Sequence, residues 1–161
     1  MGSSPYDLAR RTSPYDLFAA YEPNPEAVRR VAGMVHVLSS RTLLRPTDPD
    51  RSRAFYGTAL GLAVYREFGT GPERGTVYFL GGGFLELSGR SDEPPAPGMR
   101  LWLQVADVAA AHDELVRAGV EVLRPPVREP WGLVEMWVSD PDRVRIVLVE
   151  VPEDHPLRFR A

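Results

Sequence analysis

The side chains available for chemistry in this chain are few, and their types exclude several kinds of site. The sequence contains no cysteine, so a disulfide framework, a thiolate metal site and a cysteine nucleophile are all excluded. The three histidines stand apart: His36 lies near the first predicted strand, His112 on a predicted helix and His155 beside a proline. They form no metal or catalytic motif. Arginine, carboxylate and tryptophan side chains are the main candidates that remain.

Charge and hydropathy exclude further classes of partner. The chain has 19 Lys and Arg against 22 Asp and Glu, with a formal net charge of -3, and the arginines are scattered among acids, so we expect no nucleic-acid partner. No apolar run approaches the roughly 20 residues that span a bilayer. The N-terminus also lacks the apolar core of a signal peptide. We therefore expect a cytoplasmic protein without a membrane partner.

The first 33 residues differ from the rest because prolines and charged residues interrupt any pattern that would bury a face. Ser-Pro-Tyr-Asp-Leu occurs at 4–8 and again at 13–17. This repeat is either a tandem docking motif or a duplicated linker without function. We predict an N-terminal appendage over 1–33, a single domain over 34–152 and a C-terminal tail over 153–161.

The domain contains two similar halves, at about 35–91 and 99–151. In the first half, strands are predicted over 37–44, 63–68, 76–80 and 83–88, with a helix over 49–60 that begins after Asp48 and ends at Gly61. In the second, strands are predicted over 99–105, 122–123, 133–138 and 145–151, with a helix over 108–118 between Asp107 and Gly119. Equivalent positions are offset by about 60 residues. This repeat indicates two copies of one supersecondary unit.

Three segments of the sequence resemble motifs of the vicinal oxygen chelate superfamily, which includes glyoxalase, bleomycin-resistance protein and extradiol dioxygenase. They are residues 48–56 ending in Phe-Tyr and followed by Leu-Gly at 60–61, residues 101–108, and Pro-Trp-Gly at 130–132 with Asp-Pro-Asp at 140–142. One departure is Arg143, at a turn position where the family usually has glycine because φ is positive there.

The resemblance implies an α+β fold in which two βαβββ modules form an open, cup-shaped mixed β-sheet barrel with the helices outside. Ligands of such proteins bind in the cup. Small domains of this kind often pair, and the exposed edges of an open sheet favour pairing. We therefore expect a homodimer that binds a small molecule.

The resemblance also implies where a metal would bind in the metal-dependent members. Carried over position by position, the four ligand positions are Arg41, Glu86, Arg100 and Val147, and among these only Glu86 can coordinate. Arginine stays protonated and has no lone pair to offer. We expect no metal and no cofactor, which places the chain in the metal-free, bleomycin-resistance-like branch.

Strand alternation from these positions predicts two faces for each sheet. The inward set mixes aromatic, polar and charged side chains, as a pocket does, and comprises, besides the charged positions, Leu43, Phe84, Ser88, Trp102, Gln104 and Val149. The set facing the helices is almost entirely aliphatic and comprises Thr42, Leu44, Leu85, Leu87, Leu101, Leu103, Ile146 and Leu148. Glu67 and Glu135 are interpreted as carboxylates on solvated strand faces.

Two interpretations of the charged positions remain open. In one, Arg41, Glu86 and Arg100 form a structural network that ties the halves together. In the other, Glu86 neutralises one arginine while the second offers its planar fork to an anionic group of a ligand. Aromatic side chains are expected to contact a flat ligand, and the candidates are Phe84, Trp102, Trp131 and Trp137.

Three functions are compatible with the sequence. The first is a metal-independent protein that sequesters an aromatic or acidic small molecule. The second is a lyase, isomerase or dioxygenase-like enzyme of the same fold that uses Glu86, with or without a metal; flanking arginines would lower the pKa of Glu86 and weaken it as a base. The third is a partner-binding module that works through the repeated N-terminal motif.

Overall fold

The computed structural model describes residues 40–95 and 97–157. The repeated Ser-Pro-Tyr-Asp-Leu motif and the predicted appendage lie outside the described residues. Residues Val37–Val151 form one compact unit, and its elements follow the predicted order twice. None of the helices in the described part of the chain is long and apolar enough to cross a membrane.

The first module contains β1 (Arg41–Leu44), α1 (Pro49–Arg53), β2 (Val64–Phe68), β3 (Gly75–Phe79) and β4 (Phe84–Leu87). Asp48 caps α1 by accepting from the backbone N–H groups of Asp50 and Arg51, as the sequence predicts. The helix continues over Ala54–Ala59 with π-helical geometry, which the sequence did not indicate. Gly61 ends it with a φ of 68°, a conformation that favours glycine.

The second module contains β5 (Arg100–Val105), α2 (Val108–Arg117), β6 (Val122–Arg128), β7 (Val134–Ser139) and β8 (Arg145–Glu150). Asp107 caps α2 by accepting from the backbone N–H of Ala110 at 2.9 Å. Strand β6 is longer than the predicted 122–123 because it continues through Pro125 and Pro126. The strand tolerates both prolines because it lies at a sheet edge and its register with β7 shifts between Arg124 and Val127.

Each module forms its own four-stranded mixed sheet. Sheet A has the strand order β1-β4-β3-β2 and sheet B the order β5-β8-β7-β6, with the first pair parallel and the others antiparallel in each. No hydrogen-bonded strand pair joins the two sheets within 40–95 and 97–157. The α+β fold of two βαβββ modules in an open cup is therefore confirmed, and the sheets do not close into a barrel.

The hydrophobic core lies on the face of each sheet that carries the helices, which we call the helix side. Core residues from both modules belong to one cluster, including Tyr56, Leu85, Leu115 and Ile146. The side chains predicted to face the helices are buried here, except Thr42 and Leu103, which are partly buried. We call the opposite face of each sheet the open face. Its apolar side chains are often exposed, as Leu43 (59%) and Trp102 (45%) illustrate.

A buried polar network joins the two modules. Tyr56 donates its hydroxyl hydrogen to Asp140 at 2.8 Å, and the other carboxylate oxygen of Asp140 accepts from the backbone N–H groups of Asp142 and Val144. The Asp142 carboxylate accepts from Thr47 through both its backbone and its side chain. We call these five residues the Asp140 network.

Burial sets the protonation tendencies of the Asp140 network. Burial, followed by the charge of Asp140, raises the pKa of Tyr56, so the phenol remains a donor. Burial also raises the pKa of Asp140, and the hydrogen bonds from Tyr56 and the two amides only partly counter that effect. The network therefore holds a carboxylate whose charged form depends on all three donors.

Candidate functional site

The centre of the open face of sheet A is an ion pair between Arg41 and Glu86. Arg41 lies at the start of β1 and Glu86 on the adjacent strand β4, and the Arg41 guanidinium donates to the Glu86 carboxylate. Glu86 is 8% exposed, whereas the Arg41 side chain is 32% exposed. The structure thus brings together two of the predicted site residues.

Neighbouring groups fix the charge of Glu86. Partial burial acts to raise its pKa, but hydrogen bonds from Arg41 and Ser88 and the charges of Arg41 and Arg66 outweigh burial and hold the pKa below its usual value. Arg66 reaches this face because β2 pairs Arg66 with Val77, the residue opposite Glu86. Arg66 was not among the site residues predicted from the sequence. Its placement depends on a register shift in β2 that alternation alone does not reveal.

Arg100 lies in the other sheet and has a different partner. Its guanidinium donates to the carbonyl of Gly98 at 2.8 Å, and the side chain is exposed. The second cation that acts on Glu86 is therefore Arg66, not Arg100 as the proposed Arg-Glu-Arg network required. The physical reason is that Arg66 shares a sheet with Glu86, whereas Arg100 does not.

The side chains at the four family metal positions do not suit a divalent cation. Arg41 already occupies the carboxylate of Glu86, Arg100 is a further cation, and Val147 has no donor atom. Among residues 40–95 and 97–157, no group of three or more His, Cys, Asp or Glu side chains could hold a metal ion. The donor chemistry of these positions thus disagrees with metal binding.

The lowered pKa of Glu86 predicts a pH-dependent contribution to stability. A carboxyl whose pKa is lower in the folded state stabilises the protein above its unfolded-state pKa, about 4.3, and loses this effect as the pH falls through the folded value. We expect Glu86→Gln to cost about 1 kcal/mol of unfolding free energy at pH 7 and much less at pH 3. Urea unfolding at several pH values measures this difference. Glu114→Gln, at an exposed position of α2, is the control. An effect of Glu86→Gln that does not change with pH would contradict a lowered pKa of Glu86.

Three aromatic rings form a cluster beside the ion pair on sheet A. The Phe84 ring lies 4.8 Å from that of Tyr65 and 5.5 Å from that of Phe79, measured between ring centroids. Tyr65 is 51% and Phe79 44% exposed. We call these three residues the aromatic patch. Of these three residues, only Phe84 was predicted from the sequence; Tyr65 occupies the extra position where the β2–β3 register shifts.

The open face of sheet B presents two tryptophans on either side of a smaller residue. Trp102 on β5 and Trp137 on β7 each pair with Val147 on the central strand β8. Directly opposite residues lie on the same face of a sheet, so both indoles flank Val147 on the open face. Two of the three tryptophans predicted to contact a ligand are therefore brought together, and Val147 forms the floor between them.

Trp131 meets a buried carboxylate in a turn next to β7. Its indole N–H donates to Glu135 at 3.1 Å, and Arg124 lies near both Glu135 and Glu129, with an ion pair to each. Glu135 is 5% exposed, so its interpretation as a solvated carboxylate was wrong. Two features bury it: β7 lies inside the sheet, and Trp131 and Arg124 cover the carboxylate. The Nε of Arg124 is buried with no hydrogen-bond partner among the described residues.

Comparisons with known proteins agree with this architecture. A family model described as the Glyoxalase/Bleomycin resistance protein/Dioxygenase superfamily matches residues 33–148. No curated protein matches the chain in sequence. A superfamily member from Sphaerobacter thermophilus is similar in structure, with 24% identity and a TM-score of 0.60 over 73% of this chain and 100% of the other.

Two further solved structures are similar to the chain in fold. TnmS3, an antibiotic binding protein from a Streptomyces species, has 24% identity and a TM-score of 0.61 over 74% of this chain and 99% of its own. TioX from a Micromonospora species has 22% identity and a TM-score of 0.58 over 70% of this chain and 97% of its own. At these identities, the structural likeness shows the fold alone.

Proposed function

Because the chain belongs to the glyoxalase/bleomycin resistance protein/dioxygenase superfamily, we propose that it is a metal-independent protein that binds and sequesters an aromatic or acidic small molecule. The observation that carries this proposal is the ion pair between Arg41 and Glu86. In this ion pair, the Arg41 guanidinium occupies Glu86, the one carboxylate among the four family metal positions. The printed description of TnmS3 as an antibiotic binding protein supports a binding role for the same fold.

The open faces supply the features that a small-molecule site needs. Aromatic side chains with large exposed areas stand beside a few charged groups, which is the usual composition of a ligand pocket. Of the residues proposed to contact ligand, Arg41, Phe84 and Glu86 lie in sheet A, whereas Arg100, Trp102 and Trp137 lie in sheet B. Trp131 joins them through its hydrogen bond to Glu135.

An enzymatic role for Glu86 has less support. A general base should have a pKa near the working pH, but the hydrogen bonds and charges around Glu86 hold its pKa below the usual value. Its carboxylate is also engaged by Arg41. Sequestration without transformation is therefore the function that this geometry supports best.

Calorimetric titration of the full chain with a panel of aromatic natural products, neutral and acidic, tests the binding function. We expect at least one polycyclic aromatic compound to bind with a Kd in the micromolar range or tighter, and to be recovered unchanged. Elemental analysis of the purified protein tests metal independence. Near-stoichiometric zinc, iron, manganese or nickel would overturn that part of the proposal, and uniformly flat titrations would overturn the binding role.

We also propose that the protein forms a homodimer in which a second copy covers the rings of Tyr65 and Phe79. These two rings are in contact and exposed, and such surfaces mark interaction sites. Sedimentation equilibrium of the full chain measures the oligomeric state, and a monomer at every concentration would contradict this proposal. A cytoplasmic location and the absence of a nucleic-acid partner stay predictions.

A further inference from the structure

The strand register of sheet B arranges its open face in three rows. Arg100, Arg145 and Ser139 pair across β5, β8 and β7 and form what we call the arginine row. Two positions further along β5 and β8, Trp102, Val147 and Trp137 form the tryptophan row. Gln104, Val149 and Glu135 form the inner row. Each row is a set of directly opposite residues, so its side chains share one face and are neighbours.

The arginine row carries two unneutralised cations side by side. Arg100 and Arg145 are directly opposite on parallel strands, both are exposed, and neither forms an ion pair with a described residue. Like charges placed opposite one another destabilise a sheet pair. An anion held between the two guanidiniums would remove this repulsion, and guanidinium forks suit carboxylate geometry.

A groove lies beside the Arg145 end of the arginine row. It has a volume of about 580 Å³ and is lined by Arg145, Ser139, Leu123 and the linker prolines, among others. Glu121 and Asp142 also line it, and the Asp142 carboxylate is already held by Thr47. The groove thus borders the arginine row at Arg145 and Ser139, on the linker side.

The tryptophan row offers stacking surfaces next to the cations. Trp102 and Trp137 are separated by one strand, which places their backbones about 10 Å apart. Val147 between them is small and only 6% exposed, so it forms a floor rather than a wall. Neither indole contacts another aromatic ring among the described residues. A planar ring therefore has two indoles on which to stack, that of Trp102 exposed and that of Trp137 half-buried.

The inner row offers no free cation. Its one charged group, the Glu135 carboxylate, is buried, accepts a hydrogen bond from Trp131 and forms an ion pair with Arg124. The rows thus run from two cations without an ion-pair partner among the described residues, through an aromatic slot, to an ion-paired carboxylate. This order assigns a direction to any ligand that carries one acidic group.

We propose that the open face of sheet B binds a planar aromatic acid, with its ring between Trp102 and Trp137 over Val147 and its anionic group on Arg100 and Arg145. This inference rests on the proposed binding function and names its ligand class and binding mode. It adds Arg145, which the sequence analysis did not select. It also gives Arg100 a role as an anion-binding residue on sheet B rather than as a partner of Glu86.

Calorimetric titration with three probes tests the ligand class in the unmodified chain. The probes are 2-naphthoic acid, its methyl ester and cyclohexanecarboxylic acid. We expect the aromatic acid to bind at least tenfold more tightly than either of the others, because the ester lacks the charge and the saturated acid cannot stack. We also expect its affinity to fall with added salt, since the cations are exposed.

Substitutions test the residues. We expect Arg100→Gln and Arg145→Gln each to weaken 2-naphthoate binding about tenfold while leaving the weak binding of the ester unchanged. Trp102→Leu and Trp137→Leu should weaken the acid and the ester alike. Arg117→Gln, at an exposed position at the end of α2, removes the same charge outside the three rows and should leave both affinities unchanged.

The outcomes separate this inference from the binding function itself. Equal affinity for the acid and the ester, or an Arg117→Gln effect equal to that of the two arginine substitutions, would overturn the acid site while neutral aromatic ligands still bind. Loss of all binding in the panel of natural products and in the three probes would overturn both. Because the acid–ester comparison uses the unmodified chain, it decides the question even where a variant fails to fold.

Discussion

Replacing Asp140 with alanine is expected to lower the unfolding free energy by about 4 kcal/mol, because three buried donors then lose their acceptor at once. These donors are the Tyr56 hydroxyl and the backbone N–H groups of Asp142 and Val144, at 2.8, 2.9 and 2.7 Å from the carboxylate. Each buried donor left without a partner costs about 1–3 kcal/mol. Equilibrium urea unfolding, followed by tryptophan fluorescence, measures the loss.

Two milder substitutions are the controls for Asp140→Ala. Tyr56→Phe removes one donor and keeps both amide bonds, so it should cost about 1 kcal/mol. Asp140→Asn keeps an oxygen for the amides, and its neutral side chain avoids the burial penalty that raises the pKa of Asp140, so its cost should be less than half that of alanine. A cost for Asp140→Ala no greater than that of Tyr56→Phe would show that the two backbone N–H groups lose nothing when the carboxylate is removed, and would contradict this prediction.

Alanine at Gly69 is expected to cost about 3 kcal/mol, because it combines backbone strain with a backbone clash. Gly69 connects β2 to the turn before β3 and has a φ of 67°. A Cβ there would lie 2.2 Å from the carbonyl oxygen of Glu73, and a carbonyl oxygen in a turn cannot move aside as a side chain can. Thermal and urea unfolding of the variant measure the effect.

Gly81→Ala is the matched control for the substitution at Gly69. Gly81 has a φ of 68°, almost the same as that of Gly69, but nothing lies within 4 Å of the position its Cβ would take. It therefore reports the strain alone, which amounts to about 1–2 kcal/mol. Equal losses for the two variants would show that the turn at Glu73 adapts without cost.

The parts of the fold that local chemistry determines were predicted from the sequence. The caps at Asp48 and Asp107, the ends of both helices at glycine, and the assignment of strand faces all depend on residues close together in the chain. Burial agrees with the faces at several positions, since Leu85 and Ile146 are fully buried while Leu43 and Trp102, on the opposite face, are exposed; Val149 on that opposite face is nevertheless fully buried. The positive φ of Arg143, 65°, also matches the turn pattern.

The parts that depend on irregular pairing were not predictable. One extra residue in β2 brings Tyr65 and Arg66 to positions that strict alternation cannot assign. The contact between Tyr56 and Asp140 joins residues 84 positions apart, and no local pattern specifies it. An ion pair between Glu86 and an arginine was predicted. Which second arginine acts on Glu86 depends on the sheet that each arginine joins.

The same dependence explains the residues that were missed at the candidate site. Arg145 was predicted only as the first residue of a strand. Its proposed role comes from its position directly opposite Arg100 on the neighbouring strand. Glu135 reads in the sequence as a polar position in an alternating strand, yet it is covered by Trp131 and Arg124. Both residues acquire their roles from neighbours that the register brings together.

The two prolines in β6 limit how copies of this protein can associate. An edge strand normally presents unpaired N–H groups with which a strand of another molecule can pair, and such pairing leads to aggregation. Pro125 and Pro126 supply no N–H groups, and they lie where β6 departs from regular pairing. Pairing of another strand with this edge of sheet B is therefore disfavoured at the two prolines, which opposes aggregation through β6 at high protein concentration.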